Sequence, residues 1–296
     1  MVTIEEIFCA VDDFCKNNDV NYEKTQLTTG KKTRIRSTKL SISEIITIII
    51  YYQFSKYKDF KAYYLLHVCH TLKSAFPQLI SYSRFIELLP RALNMMILFL
   101  HSNLAEPTGI SFVDSTQIAV CHKKRIDRHK VFDGLAAIGY SSKGWYLGFK
   151  LHLICNHKGE LISVKITTAN TDDKQPIPSM TKKLFGKLFG DKGYISNKLS
   201  EELLDKGVVL ITSIRKNIKP RIMSLFDRLV LKKRTLIESI NNQIKSKFDL
   251  EHSRHRSPLN GFTHMISTLI AYCLNPTKPA ANISFYNELK ELQSMA

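Results

Sequence analysis

What this chain has least of is negative charge. Asp and Glu number 26 against 43 Lys and Arg, a formal charge of +17 over 296 residues. Such an excess repels itself in a compact state unless a polyanion or counterions offset it, so nucleic acid is the first partner to expect. An anionic membrane surface is the rival, but the basic residues are spread along the chain and not gathered on one amphipathic helix. Long apolar runs are missing too. The longest, Ile42 to Phe54, Leu93 to Leu104 and Met265 to Leu274, stop short of the roughly 18 uninterrupted apolar residues that suggest a membrane span. They read as core helices. No charged-then-apolar leader opens at Met1, because Glu5, Glu6, Asp12 and Asp13 intervene, so a cytoplasmic location without a membrane partner is expected. The six cysteines (Cys9, Cys15, Cys69, Cys121, Cys155, Cys273) include no CxxC pair, which points to free thiols in a reducing compartment. No repeat or low-complexity tract interrupts the chain.

What is present suits two domains, since 44% of the residues are hydrophobic, enough for one substantial core and a smaller second unit. From Thr3 to Ala105 apolar residues recur at spacings of three and four, as in Ile4, Ile7, Phe8, Val11 and Phe14, which predicts an all-α N-terminal domain over 1–105. Within it, Lys24 to Ser43 carries no acidic residue and reads as a loop or arm. Ser41 or Ser43 is placed to cap the next helix, with Glu44 in its first turn, and Tyr82-Ser83-Arg84-Phe85 opens a short helix. Ile45 to Tyr52 is so apolar that core packing explains it before a DNA-reading helix-turn-helix does.

The breaker cluster Glu106-Pro107-Thr108-Gly109 marks a domain boundary. After it, Ile110 to Asp114 predicts a buried strand, and residues 148 to 168 predict a hairpin turning at Asn156-His157-Lys158-Gly159. Pro178 to Leu188 suits a helix. Leu188 to Asp191 is a short strand, Asn197 to Lys206 a helix stopped by Gly207, and Val208 to Thr212 another strand. A long helix is expected from Asp227 to Phe248, striped by Ile237, Ile240, Ile244 and Phe248. This order predicts an α/β domain over 106–275, a mixed sheet with flanking helices. Residues 276–296 read as a linker and a short C-terminal helix, Phe285 to Gln293.

Three carboxylates fall where such a sheet would gather them: Asp114 in the first strand, Asp191 just past a later one, and Glu238 on the long helix. Close carboxylates repel, so a cluster of three needs a cation to stay ionised. Mg²⁺ suits all-oxygen ligands, and two such ions can activate an attacking hydroxyl and stabilise a leaving oxygen in phosphoryl transfer. Arg234 and Lys245, at i−4 and i+7 from Glu238, project from its side of the helix.

The blocks Asp114-Ser115, Gly148-Phe149-Lys150-Leu151-His152-Leu153, Asn170-Thr171-Asp172-Asp173, Gly190-Asp191-Lys192-Gly193-Tyr194 and Arg234-x3-Glu238-x6-Lys245, in that order, resemble bacterial insertion-sequence transposases of the DDE type. The chain looks most like the IS982 family over about residues 106 to 275, and His252-Ser253-Arg254-His255-Arg256 is also similar to that family. Two positions depart from the wider pattern: Leu231 where many related enzymes have Tyr, and Asp172 where more distant ones have His. The resemblance implies a ribonuclease-H-like scaffold on which Asp114, Asp191 and Glu238 bind two Mg²⁺ ions, with Mn²⁺ as a substitute, and Arg234 and Lys245 contact DNA. It further implies element ends (terminal inverted repeats) and target DNA as partners, homo-oligomers on DNA, a nucleoid-associated location and no small-molecule cofactor. The N-terminal helices would then serve DNA binding or assembly.

Plainer readings stand beside these. Asp114 alone could cap a turn, Asp191 sits in an ordinary Gly-Asp-Lys-Gly turn, and Glu238 alone is a solvated helix residue; their conjunction carries the expectation. Lys192 and Tyr194 flank Asp191, and Tyr194 suits packing as well as DNA. The run Lys123, Lys124, Arg125 is a solvated basic face or a phosphate guide, as is the arm from Lys24 to Lys39; Arg254 and Arg256, in the segment similar to the family, are further expected DNA contacts. His152 alternates with Leu151 and Leu153 as a packed strand residue. Cys121-His122 and Cys155-x-His157 lack a four-ligand zinc pattern. Two other functional classes share these features: a nuclease that cuts without joining, and a transposase-derived DNA-binding protein without activity.

Overall fold

The computed structural model describes residues 2–25, 38–142, 144–213, 223–251 and 255–283. In chain order the helices and strands are α1 (Ile4–Thr25), α2 (Ile42–Phe54), α3 (Phe60–Ala62), α4 (Tyr82–Ser102), β1 (Ile110–Ala119), β2 (Ala137–Ser141), β3 (Gly144–Asn156), β4 (Leu161–Thr168), α5 (Ile177–Met180), β5 (Gly186–Gly190), α6 (Asn197–Leu204), β6 (Val208–Thr212), α7 (Leu225–Lys232), α8 (Thr235–Ser246) and α9 (Pro258–Leu274). They form two units, residues 1–103 with 244–276, and residues 104–243 with the stretch from Thr277. The division falls inside α8.

The first unit is helical. Ser41 starts α2 with a capping box: its Oγ accepts from Glu44 N at 3.1 Å, while Glu44 Oε2 accepts from Ser41 N at 2.7 Å. Behind that cap, Ile45, Ile46, Ile48, Ile49 and Ile50 are all buried, each stabilising the fold by about 1.5–3 kcal/mol relative to exposure. The expected short helix at Tyr82 is 21 residues long and carries Pro90 inside it. Its apolar period runs across the proline, and burial of Phe85, Leu88, Met95 and Phe99 outweighs one missing backbone bond. This helix is long and apolar enough to cross a membrane by length and composition; here that face is buried against α2 and α9. Helix α9 belongs to this unit, whereas the sequence placed it in the 106–275 domain. Its buried Met265, Leu269, Ile270 and Tyr272 are the reason, because α4 and α2 supply the apolar surface that covers them.

The second unit is a six-stranded sheet in the order β2-β3-β1-β5-β6, with β4 also paired to β3. Strand β2 takes the start of β3, from Gly144 to Gly148, and β4 takes the remainder. β1 runs antiparallel to β3 and parallel to β5, and β5 runs parallel to β6. Antiparallel hairpins leading into a central strand, followed by two parallel strands joined through a helix, make the expected ribonuclease-H-like α/β sheet. Val113, Ile154, Leu188 and Val208 face a core closed by α5 and α6.

Several elements of this unit differ from expectation, β1 among them, which runs past Asp114 to Ala119. Strand β2 carries no strong pattern of its own and gains its pairing from β3. The helix expected over Pro178–Leu188 shrinks to α5, because residues from Gly186 (φ +81°) onward pair with β1 and β6 instead. The long helix expected over Asp227–Phe248 is broken between α7 and α8, where Lys233 N, Arg234 N, Leu236 N and Ile237 N bond carbonyls three residues back. Its stripe, Ile237, Ile240, Ile244 and Phe248, is nonetheless buried. Most of the basic arm (26–37), Arg254 and the expected C-terminal helix lie outside the described residues.

Candidate functional site

Strand alternation sends Val113 into the core and Asp114 to the opposite face of β1, where the aspartate's side chain keeps 20% of its exposure. Asn241 of α8 donates from Nδ2 to Asp114 Oδ2 at 2.9 Å. Burial pushes the Asp114 carboxyl up to about 6; Arg234 opposes the rise, and Asp191 and Glu238 add to it. Asp191 and Glu238 thus lie near enough to Asp114 to act on its charge. Asp191 follows β5 directly, on the strand beside β1, and its Oδ1 accepts from Gly193 N at 2.8 Å. Glu238 stands in the first turn of α8, half exposed.

Arg234 ties this group together, with Nη2 2.6 Å from Glu238 Oε1 and Nη1 4.0 Å from Asp114 Oδ1. A guanidinium thus supplies the positive charge between two of the three acids. Among the described residues, no three of His, Cys, Asp and Glu stand close enough together to hold one metal ion. The donor chemistry is all oxygen, which suits Mg²⁺, and the raised Asp114 carboxyl belongs to a site that a cation would relieve.

Next to Asp114, Ser115 Oγ donates to Asp173 Oδ1 at 2.8 Å, and Lys150 Nζ reaches both Asp173 Oδ1 at 3.0 Å and Thr171 O at 2.7 Å. Three of the sequence blocks meet here, on β1, on β3 and in the loop after β4. The sequence puts Asn241 on the polar side of the helix with Glu238, but neither its bond to Asp114 nor the Lys150–Asp173 pair is readable there. Asn241 lay one turn beyond Glu238 on the same helix, which was the available signal; nothing local tied Lys150 to Asp173, 23 residues apart. His152 is fully buried with Nε2 2.8 Å from Thr167 Oγ1, and burial lowers its pKa to about 4, consistent with a packed strand residue.

The candidate DNA contacts separate. Lys192 is exposed beside Asp191, and Lys123, Lys124 and Arg125 are exposed on a 3-10 turn, Lys123–Arg128, whose Lys124 N bonds His122 Nδ1 at 3.3 Å. Of the two roles open to Tyr194, packing or DNA contact, the fold takes packing: the residue is 2% exposed in the core under the sheet, where burial and the nearby acids raise its hydroxyl pKa. Its aromatic ring fills that core and is covered from any DNA strand, contrary to its expected place among the DNA contacts. Lys245 belongs to the first unit and pairs with Glu251 at 3.2 Å. Arg256, also in that unit, is exposed at the mouth of a separate cavity with Lys61 and Tyr82.

The fold thus defines a class, a ribonuclease-H-like domain whose central strand carries Asp114, with Arg234 between it and Glu238. Residues 104–258, a little over half of the chain, match the family described as "Transposase DDE domain". The chain belongs to the DDE transposase family. No curated protein matches it. Among solved structures it is similar to a piggyBac transposase synaptic complex with hairpin DNA, at 11% identity and a TM-score of 0.37. That similarity covers 72% of this chain and 49% of the other, so the chain spans about half the length of that relative.

Proposed function

We propose that this protein is a DNA transposase, similar to the IS982 family, that cuts at the ends of an insertion sequence and joins the freed 3′ ends to target DNA. The observation that carries this is Asp114: a mostly buried carboxylate on the central strand, flanked by Asp191 and Glu238 and raised to about 6 by burial first and by those acids after it. Isolated decoration on a surface would not be held in that way. Asp114, Asp191 and Glu238 would hold Mg²⁺, or Mn²⁺ in its place, with Glu238 exchanging its bond to Arg234 for the ion. A bound divalent ion lowers the pKa of an attacking hydroxyl and takes up charge on the leaving oxygen.

The chain's own groups prepare this. Asn241 fixes one Asp114 oxygen by hydrogen bonding, and the Gly193 amide orients Asp191. Arg234, once released from Glu238, is positioned to pair with a phosphate beside the cut bond. Exposed Lys192, Lys123, Lys124 and Arg125 hold backbone phosphates without reading sequence. The helical unit, with Arg256, serves end binding or assembly of a homo-oligomer on DNA, with Lys245 and Arg254 as further contacts. Element ends and target DNA are the partners, and the working place is the cytoplasm, at the nucleoid.

Purified protein incubated with its own flanking DNA and Mg²⁺ tests this reading. Cleavage at the element ends is expected, with Asp114→Asn abolishing it and leaving end binding nearly intact; full cleavage by that variant refutes the assignment. Pre-cut ends supplied with a target plasmid separate a transposase, which joins them, from a nuclease, which does not.

A further inference from the structure

Beside the proposed active site the sheet carries two aromatic rings that the reaction above does not use. Tyr140 on β2 pairs directly across from Trp145 on β3. Their rings meet edge to face with centroids 5.2 Å apart, yet Tyr140 is 66% and Trp145 62% exposed. Ile138, two residues earlier on the same face, is 51% exposed. Leaving such large side chains in water forgoes much of the stabilisation that burial provides, so folding alone gives no reason for the cluster.

These side chains wall a cavity of about 410 Å³ whose remaining lining is Lys150, Ala169, the loop Asn170–Asp173, and Gly193. Gly139 lets β2 approach that loop, since a Cβ there would lie 2.5 Å from Ala169 O. The cavity thus reaches from the aromatic pair to the residues beside Asp114 and Asp191.

The polar lining decides what fits. Asp173 and Asp172 are each offset by a lysine, Lys150 at 3.0 Å and Lys174 at 3.7 Å. A phosphate would face these carboxylates, whereas the amino edge of a nucleobase would find acceptors. Positive charge lies outside, where a strand's backbone would run: a Cβ at Gly144 would meet Lys123 Nζ at 2.9 Å, which puts that ammonium against the hairpin turn. Aromatic rings walling an acceptor-lined cavity, with cations at its rim, match the needs of an unpaired base and its backbone.

We propose that this cleft binds an unpaired nucleobase of the DNA strand being processed, stacked on Trp145 with Tyr140 as its side wall and the Asn170–Asp173 loop at its edge. The inference rests on the DNA reading above and adds a subsite to it.

Trp145 is the chain's single tryptophan, so its emission reports this cleft alone. Full-length protein in chelator, to prevent cleavage, is titrated with three end-labelled duplexes: one with a single-stranded tail, one with the same tail made abasic, and one blunt. Anisotropy reads binding and tryptophan emission reads stacking. The tailed duplex is expected to quench Trp145 while the abasic and blunt ones leave it nearly unchanged. Trp145→Ala should weaken binding of the tailed duplex by about tenfold and leave the blunt duplex alone. Equal quenching by all three duplexes overturns the proposal, as does equal affinity of the variant for the tailed one. A shift in emission with protein concentration alone overturns it in favour of a second copy of the chain. If duplexes bind and Asp114-dependent cleavage is seen without a base-dependent quench, only this subsite falls; if no duplex binds, the DNA reading falls with it.

Discussion

In the helical unit, α2, α4 and α9 bury isoleucine, leucine and aromatic side chains, and several polar groups that enter with them find partners nearby. Gln53 Nε2 donates to Ser267 Oγ at 2.7 Å, and Thr268 Oγ1 to Phe248 O at 3.2 Å. The sheet unit has an equally dry core under β1 and β5, but it also withdraws polar groups from water, Asp114 on one face of the sheet and the Lys150–Asp173 pair and His152 on the other. Burying charge costs stability unless partners offset it. The partners here, Arg234 and Asn241, are incomplete for Asp114, since its carboxyl remains raised. One unit thus uses burial for folding, and the other gives part of it up around the proposed site.

Experiments can break that contrast, starting where the effect is largest. Asp114→Asn should lower metal-dependent cleavage by at least about a thousandfold, read on labelled element ends, because a neutral amide is a poor ligand and a poor base. In the helical unit, Ile48→Ala should cost about 2–5 kcal/mol in urea melts by opening a cavity, with the loss appearing as instability and not as slower cleavage by the folded protein.

Two smaller effects concern protons and run in opposite directions. Buried His152 has a pKa near 4 in the fold against an ordinary 6.5. The unfolded chain therefore binds the extra proton between those values, and stability is lost as pH falls through that window. Replacing His152 with Asn should remove up to about 3 kcal/mol of that acid lability. Asp114 is raised to about 6 from 3.8, so the folded state binds the extra proton and stability is lost as pH rises between those values. Metal-free Asp114→Asn should accordingly be more stable than the parent by about 1–3 kcal/mol above pH 6, the gain vanishing below pH 4. If that variant melts earlier at neutral pH, Asp114 is held as a structural charge and the contrast between the units fails.

Much of the sheet was legible because its strands carry short apolar runs closed by turn residues, as at Asn156–Gly159, where Gly159 takes φ +76°, and at Gly207. β2 was not, since Ala137–Ser141 has no pattern apart from its partner. The break between α7 and α8 was hidden for the opposite reason: the apolar period runs straight through Lys233 and Arg234, with no glycine or proline to mark it. Among the proposed site residues, Asp114, Asp191 and Glu238 stood out in the sequence only together, one at the close of an apolar run, one in a turn after another and one on a helix; β1 in fact runs on past Asp114 to Ala119. Tyr194 could not be sorted, because a tyrosine beside a catalytic-type aspartate looks the same whether its ring faces core or solvent.

The sequence by itself determined the positive balance of charge, the Ser41–Glu44 cap, most of the order of strands and helices, and the three acids set along them, because these follow from composition, spacing and local hydrogen bonding. Only the tertiary structure decided that Arg234 bridges Glu238 towards Asp114, that Lys150 meets Asp173, that α9 joins the first unit, and that Trp145 and Tyr140 stand together in solvent. Those outcomes depend on which surfaces the packed sheet and helices cover, and residues far apart along a chain become neighbours only when long-range burial settles that question.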